Sequence, residues 1–239
     1  MRSHNGGGDI SHNVQTATEP QNHFVVSVDV TSDAVDYGQL HNIAIQAKEE
    51  LQVDELVAIA DKGYYSGEQF AKCREDNIHP IAPHPDKGGH QAKGYTKGYF
   101  IYDKESDSYT CPQGKILTKA AQRKPNPVNS RYRNLAACAN CPAKQKCSPS
   151  TPYRTITRGE FDDYSEEVDA FTKENKELYS SRKSIVEHPF GTVKRALGFT
   201  YFLTRGTENV RTESLLHFLA YNMKRLINIV GTKPLQAVL

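Results

Sequence analysis

The segment Leu56-Val-Ala-Ile-Ala-Asp61-Lys-Gly-Tyr-Tyr-Ser66 joins an unbroken apolar run to an acid and a glycine turn. Five apolar residues without alternation predict a short strand buried on both faces. Asp61 then stands at the C-terminal end of that strand, where open α/β sheets place their working residues. The blander outcome, an Asp that caps the following turn, is the commoner one for an isolated case.

Upstream, Val14–Thr18 and Phe24–Val30 predict two strands joined through Glu19-Pro-Gln-Asn-His23. Leu40, Ile43, Ala44, Ala47 and Leu51 follow helical spacing and predict an amphipathic helix. Downstream, Ser66 and Gln69 form a capping box for a helix through about Arg74. Ile78–Ala82 predicts a further strand, which Pro80 and Pro83 confine to an edge. From Asp86 to Arg158 the periodicity disappears and four of the five cysteines gather, the texture of an insertion. Helical pattern resumes at Tyr164, and a last helix carries Leu215, Leu219, Met223, Leu226, Ile227 and Val230 along one side until Gly231. The expectation is an α/β fold, a mixed sheet with flanking helices. Its parts are residues 1–85, a cysteine-bearing insertion 86–158, and a helical part 159–239.

Composition narrows the function. No apolar run reaches the roughly 18–20 residues of a membrane span, and the N-terminus does not resemble a signal peptide, so a cytoplasmic protein is expected. Net charge is +2, but Ser181–Leu239 holds nine Lys or Arg against three Glu. That bias suits a polyanion partner equally with a solvated helical surface.

A second candidate acid lies in Tyr179-Ser-Ser-Arg182-Lys183-Ser-Ile-Val-Glu187-His-Pro-Phe-Gly-Thr-Val-Lys194. At 3.6 residues per turn, Tyr179, Lys183, Glu187 and Lys194 share one helical face, while Val186, Phe190, Val193 and Leu197 form an apolar stripe. Glu–Lys pairs so spaced are ordinarily solvated surface, worth about 0.2–0.5 kcal/mol each. Beside Asp61 they mean more. A phosphodiester site needs converging carboxylates for divalent metal and cations for the DNA backbone. Pro189, two residues after Glu187, should kink or restart the helix. Tyr64 and Tyr65 could stack on an unpaired base or pack beside the sheet.

Together, Asp61-Lys-Gly-Tyr-Tyr-Ser-Gly67, the spaced Tyr179/Arg182/Glu187/Lys194 motif and the cysteine-bearing insertion resemble bacterial insertion-sequence transposases of the DDE class. The resemblance runs from about Asn13 to Ile229. It implies a ribonuclease-H-like catalytic fold and an Mg²⁺ or Mn²⁺ site with Asp61 as second acid and Glu187 as third. Tyr179, Arg182, Lys183 and Lys194 would contact DNA, at element ends and target. Four residues separate Arg182 from Glu187 where the family pattern has three, so Lys183 is the alternative to Arg182. The family's first Asp precedes a Gly-rich segment like residues 4–9, and the chain starts too late to contain it. The resemblance therefore implies the C-terminal part of a longer protein, with little strand transfer by this chain alone. Pairing with a full-length transposase or with itself is the implied assembly. Asp9, Asp29 and Asp33 are weak substitutes: Asp9 lies in the Gly-rich segment and Asp29 alternates with Val28 and Val30.

Cys111, Cys138, Cys141 and Cys147, with one C-x-x-C, are candidates for a structural Zn²⁺ site, balanced evenly against reduced thiols. Cys73 reads as a small buried hydrophobe. Two other functions stay open: a catalytically dead DNA-binding remnant, and a zinc-ribbon DNA-binding regulator whose acids are structural.

Overall fold

A computed structural model describes residues 11–85, 94–121 and 129–232. The chain divides into two compact units, residues 86–163 and the remainder.

In the first unit, β1 (Asn13–Thr18) and β2 (Val25–Thr31) pair antiparallel. Their turn is fastened by Glu19, whose carboxylate accepts from the N–H groups of Gln21, Asn22 and Phe24 at 2.7, 2.8 and 3.0 Å. The chain continues through α1 (Leu40–Leu51), β3 (Leu56–Ile59), α2 (Gly67–Glu75) and β4 (Ile78–Ile81). β3 and β4 run parallel, with α2 as the crossover. Leu40, Ala44, Phe70, Cys73 and Ile78 form the core under them. Cys73 is fully buried, and burial pushes its thiol up to about 12. It is the small hydrophobe expected.

Three expectations change here. The described strands of this unit pair two by two rather than as one central sheet. β3 is not buried on both faces: its inner side meets the helices, while Val57 is 43% exposed. In a two-stranded pair every strand is an edge, which also tolerates Pro80. Ser66 does precede α2, but no side-chain cap bond forms. Gln69 instead accepts from the His41 N–H at 3.0 Å, tying α2 to the start of α1.

The later part of this unit holds α5 (Asp162–Glu174), α6 (Lys176–Gly191) and α7 (Thr207–Val230). α6 runs through Pro189 without breaking. A π-helical turn at Thr192–Ala196 follows, closed by Leu197 N–H to Thr192 O at 3.0 Å. Val193 is buried, with Phe190 and Leu197 packed beside it against Val25, Val28 and Phe218.

α7 packs by the other side from the one its apolar pattern predicts. Val210, Glu213, Ser214, His217, Phe218 and Tyr221 are buried, whereas Leu215, Leu219 and Met223 are exposed. The polar members supply what loop and strand backbones need. Glu213 accepts from the N–H groups of Leu203 and Thr204 and from Thr204 Oγ1. Asn222 brackets Val25, accepting from its N–H at 3.0 Å and donating to its O at 2.8 Å. Tyr221 donates to His23 O at 2.8 Å, which leaves His188 Nδ1 to donate to the Tyr221 hydroxyl at 2.9 Å. Glu213→Ala would orphan two backbone donors and should cost about 2–4 kcal/mol.

The same groups set an acid limit. Burial holds His217 below its ordinary value of 6.5, and desolvation together with the Arg225 charge does the same at the more exposed His188, so the unfolded chain takes up protons that the folded chain refuses. Burial alone would raise Glu213, but its hydrogen bonds outweigh that and hold it below 4.5. All three shifts have one sign: stability is full above about pH 6.5 and falls continuously through pH 4. Melting temperatures between pH 8 and 4 check this, and Glu213→Gln should flatten the part below 4.5.

The second unit is an antiparallel sheet in sequential order: β5 (Ile101–Asp103), β6 (Ser108–Thr110), β7 (Ile116–Lys119), β8 (Asn129–Arg133) and β9 (Thr155–Gly159). Two short helices, α3 (Leu135–Ala139) and α4 (Lys144–Cys147), lie between β8 and β9. Phe100, Tyr109, Leu117, Tyr132 and Ile156 make its core. Asp107 ties the sheet together by accepting from the hydroxyls of Tyr102 and Tyr132. The loss of periodicity noted in sequence hides regular structure, because strands this short show too little alternation.

Candidate functional site

Asp61 sits where β3 ends. Its Oδ1 accepts from the Gly63 N–H at 2.7 Å, so the side chain caps the short 3₁₀ turn Lys62–Tyr64. The blander role is thus filled, but it does not exhaust the carboxylate.

A second acid comes to the same place. Asp36, in the loop between β2 and α1, accepts through Oδ1 from Asn13 Nδ2 and Gln15 Nε2, both at 2.8 Å. Asn13 and Gln15 are two apart on β1 and so share a face. Gln15 is only 2% exposed, and its Oε1 accepts from the Tyr64 hydroxyl. A Cβ built on Gly63 would lie 3.0 Å from Asp61 Oδ1 and 3.3 Å from Asp36 Oδ2. The two oxygens are therefore at most about 6.3 Å apart. A side chain at this position would press on both carboxylates, which would have to give by a few tenths of an ångström.

Tyr64 records this environment. Burial, then Asp36 and then Asp61 push its hydroxyl far above the ordinary value, while Arg182 on α6 opposes them. The positive charge of Arg182 is thus felt at the Tyr64 hydroxyl. Its guanidinium also lies 5.9 Å from the centre of the Tyr179 ring. Tyr64 and Tyr65 are engaged within the fold: Tyr65 meets Phe70 edge-on at 5.0 Å and donates to Asp169 Oδ1 at 2.9 Å. Their packing role is the one realised.

The remaining candidates are spread along α6 and beyond. Glu187 and Lys183 are exposed on α6. Lys194 is also exposed, 5.9 Å from the Phe190 ring centre. Lys194 lies within the π-helical turn, whose wider winding departs from the 3.6-residue spacing that would keep it on the face of Tyr179, Lys183 and Glu187. Among the described residues, no three His, Cys, Asp or Glu side chains are grouped closely enough to hold a metal ion. The donors near Asp61 are hard carboxylate oxygens, which suit Mg²⁺ or Mn²⁺. Mg²⁺ commonly takes one or two carboxylates and completes its shell with water and substrate phosphate.

Of the substitute acids, Asp29 stands directly opposite Gln15 in the β1–β2 ladder, but its carboxylate is engaged elsewhere. Its Oδ2 accepts from Asn42 Nδ2 at 2.6 Å and its Oδ1 lies 3.4 Å from Arg211 Nε. Asp33 accepts from Gln39 Nε2 at 2.7 Å, and Asp9 lies outside the described residues. Asp36 was the acid that strand-end logic overlooked. Among the described residues, no helix is long and apolar enough to cross a membrane.

The family model of the transposase DDE domain matches residues 110–227, just under half of the chain. The match spans the four clustered cysteines and Tyr179, Arg182, Lys183, Glu187 and Lys194, and leaves Asp36 and Asp61 outside. No curated protein and no solved structure matches the chain.

Proposed function

We propose, from the match of residues 110–227 to the transposase DDE domain family, that the chain is a DDE-type transposase that carries out metal-dependent phosphodiester cleavage and strand transfer on double-stranded DNA. Asp61 and Glu187 act as acids of the site, and Asp36 stands beside Asp61 in the place of the first Asp. The approach of Asp36 and Asp61 to each other across Gly63 is the observation that carries this reading. Two anions so close favour a cation between them. A divalent ion there, Mg²⁺ or Mn²⁺, would supply Lewis-acid stabilisation of charge at the scissile phosphate.

The chain's own side chains do the rest. Asn13 and Gln15 fix the Asp36 carboxylate, and the Gly63 N–H fixes that of Asp61. Arg182, whose charge is felt at Tyr64, offers a cation suited to a phosphate oxygen. Lys183 and Lys194 are exposed and free to follow the DNA backbone, which positions the duplex without reading its sequence. Glu187, exposed on α6, is the third acid of this reading.

A second reading, DNA binding without cleavage, is favoured by one observation: no three acids are grouped among the described residues. Incubating supercoiled plasmid with the chain and Mg²⁺ separates the two. Nicked circles that vanish with chelator support the enzyme; DNA retained in a gel shift but never nicked supports the binding protein. Gly63→Ala gives a finer check, since its methyl group would crowd both carboxylates. It should lower nicking about 10–100-fold while leaving DNA retention unchanged.

A further inference from the structure

The acids do not account for the cysteines of the second unit, and those carry an inference of their own. Cys111, Cys138, Cys141 and Cys147 all line one cavity, together with Phe100, Leu117 and Arg154. They arrive from two places. Cys111 opens the tight β6–β7 turn: its N–H donates to Lys115 O at 2.9 Å and its O accepts from the Gly114 N–H at 2.8 Å. Gly114 has φ +70, a conformation side chains disfavour, so the turn is built to fold back sharply. The other three come from the 135–147 segment. Its start is anchored to β7 by Asn134 Nδ2 donating to Ile116 O at 2.7 Å. Cys138 lies in α3, Cys141 opens the turn closed by the Lys144 N–H at 3.1 Å, and Cys147 ends α4. All four thiols are free.

A second observation is independent of the cysteines' number. Arg154 lines the same cavity, with Nη1 3.4 Å from Cys147 O and its guanidinium 5.6 Å from the Phe100 ring centre. Its Nε is buried with no hydrogen-bond partner. A buried donor without an acceptor is costly, and a neutral thiol is a poor acceptor. A metal-bound thiolate is a far better one, and four of them around a divalent ion leave a net charge of −2 for a guanidinium to offset.

We propose that Cys111, Cys138, Cys141 and Cys147 bind one structural Zn²⁺, with Arg154 holding the charge of the thiolate shell. Soft sulfur ligands select zinc over the hard cations suited to the acids. As they stand, the side chains are not gathered tightly enough to grip an ion, so rotation of the thiols toward the cavity centre accompanies binding. Zinc would replace the large core that a sheet of three- to five-residue strands lacks. The proposal rests neither on Asp61 nor on DNA cleavage.

The test uses the full chain purified without chelator. Elemental analysis should find close to one zinc per chain, and Co²⁺ exchanged into the site should give the visible bands of a tetrahedral thiolate complex. Cys138→Ser and Cys141→Ser should each lose the metal, while Cys73→Ser should keep it. Should the serine variants fail to fold, the wild-type chain still decides. Stripping with chelator should lower its melting temperature and added Zn²⁺ should restore it. Arg154→Met should weaken zinc retention about tenfold in competition with a chromogenic chelator. Zinc-free protein with a melting temperature indifferent to Zn²⁺ and to chelator would overturn the proposal, as would full zinc content in the Cys138→Ser/Cys141→Ser protein.

Discussion

Asp61→Asn should lower Mg²⁺-dependent nicking of duplex DNA by at least about 10³-fold, the consequence of removing several kcal/mol of charge stabilisation at the phosphate. The substitution keeps an oxygen for the Gly63 N–H, so the turn Lys62–Tyr64 stays capped and the fold stays intact. Asp36→Asn should cost nearly as much. Its amide can be held as the carboxylate is by Asn13 and Gln15, but it brings no negative charge. Arg182→Ala should act differently: weaker retention of DNA at raised salt, with a smaller loss of nicking at low salt. Equal nicking by wild type and Asp61→Asn would remove Asp61 from the chemistry.

Phe218→Ala should destabilise the first unit by about 3–5 kcal/mol, whereas Leu219→Ala, one residue on, should change stability by no more than about 0.5 kcal/mol. Phe218 is 4% exposed and meets Phe190 edge-on at 5.4 Å in the cluster with Val25, Val28 and Val193. Leu219 is 54% exposed. Urea unfolding of the two variants reads out which side of α7 is packed. Comparable losses would mean that the exposed stripe is covered in solution.

That contrast shows where sequence pattern runs out. In α1 the apolar spacing found the buried face, because Leu40, Ile43, Ala44 and Ala47 meet an ordinary hydrophobic core. In α7 it pointed to the exposed side, because the packed side is used for backbone hydrogen bonds by Glu213, Asn222 and Tyr221, partners that periodicity cannot see. The strands at β1, β2, β3 and β4 were legible within a residue or two, since each is an apolar or β-branched run bounded by turn residues. β5 to β9 were not: three to five residues carry too little alternation, and their order depends on long-range contacts such as Asp107 with Tyr132. At the site, Asp61 stood out as the end of an apolar run. Asp36 did not, because its place is set by Asn13 and Gln15 on another strand and by the absence of a side chain at Gly63. How α6 continues past Pro189 was equally hidden, since a π-helical turn leaves no mark in residue spacing.

Titrating the full chain with Mn²⁺ while following the paramagnetic resonance of the free ion tests the acid site most directly. Wild type should remove Mn²⁺ from solution saturably, and the Asp36→Asn/Asp61→Asn chain, with an unchanged circular dichroism spectrum, should not. Identical uptake by the two proteins, or none by either, would contradict a divalent-metal site at Asp36 and Asp61.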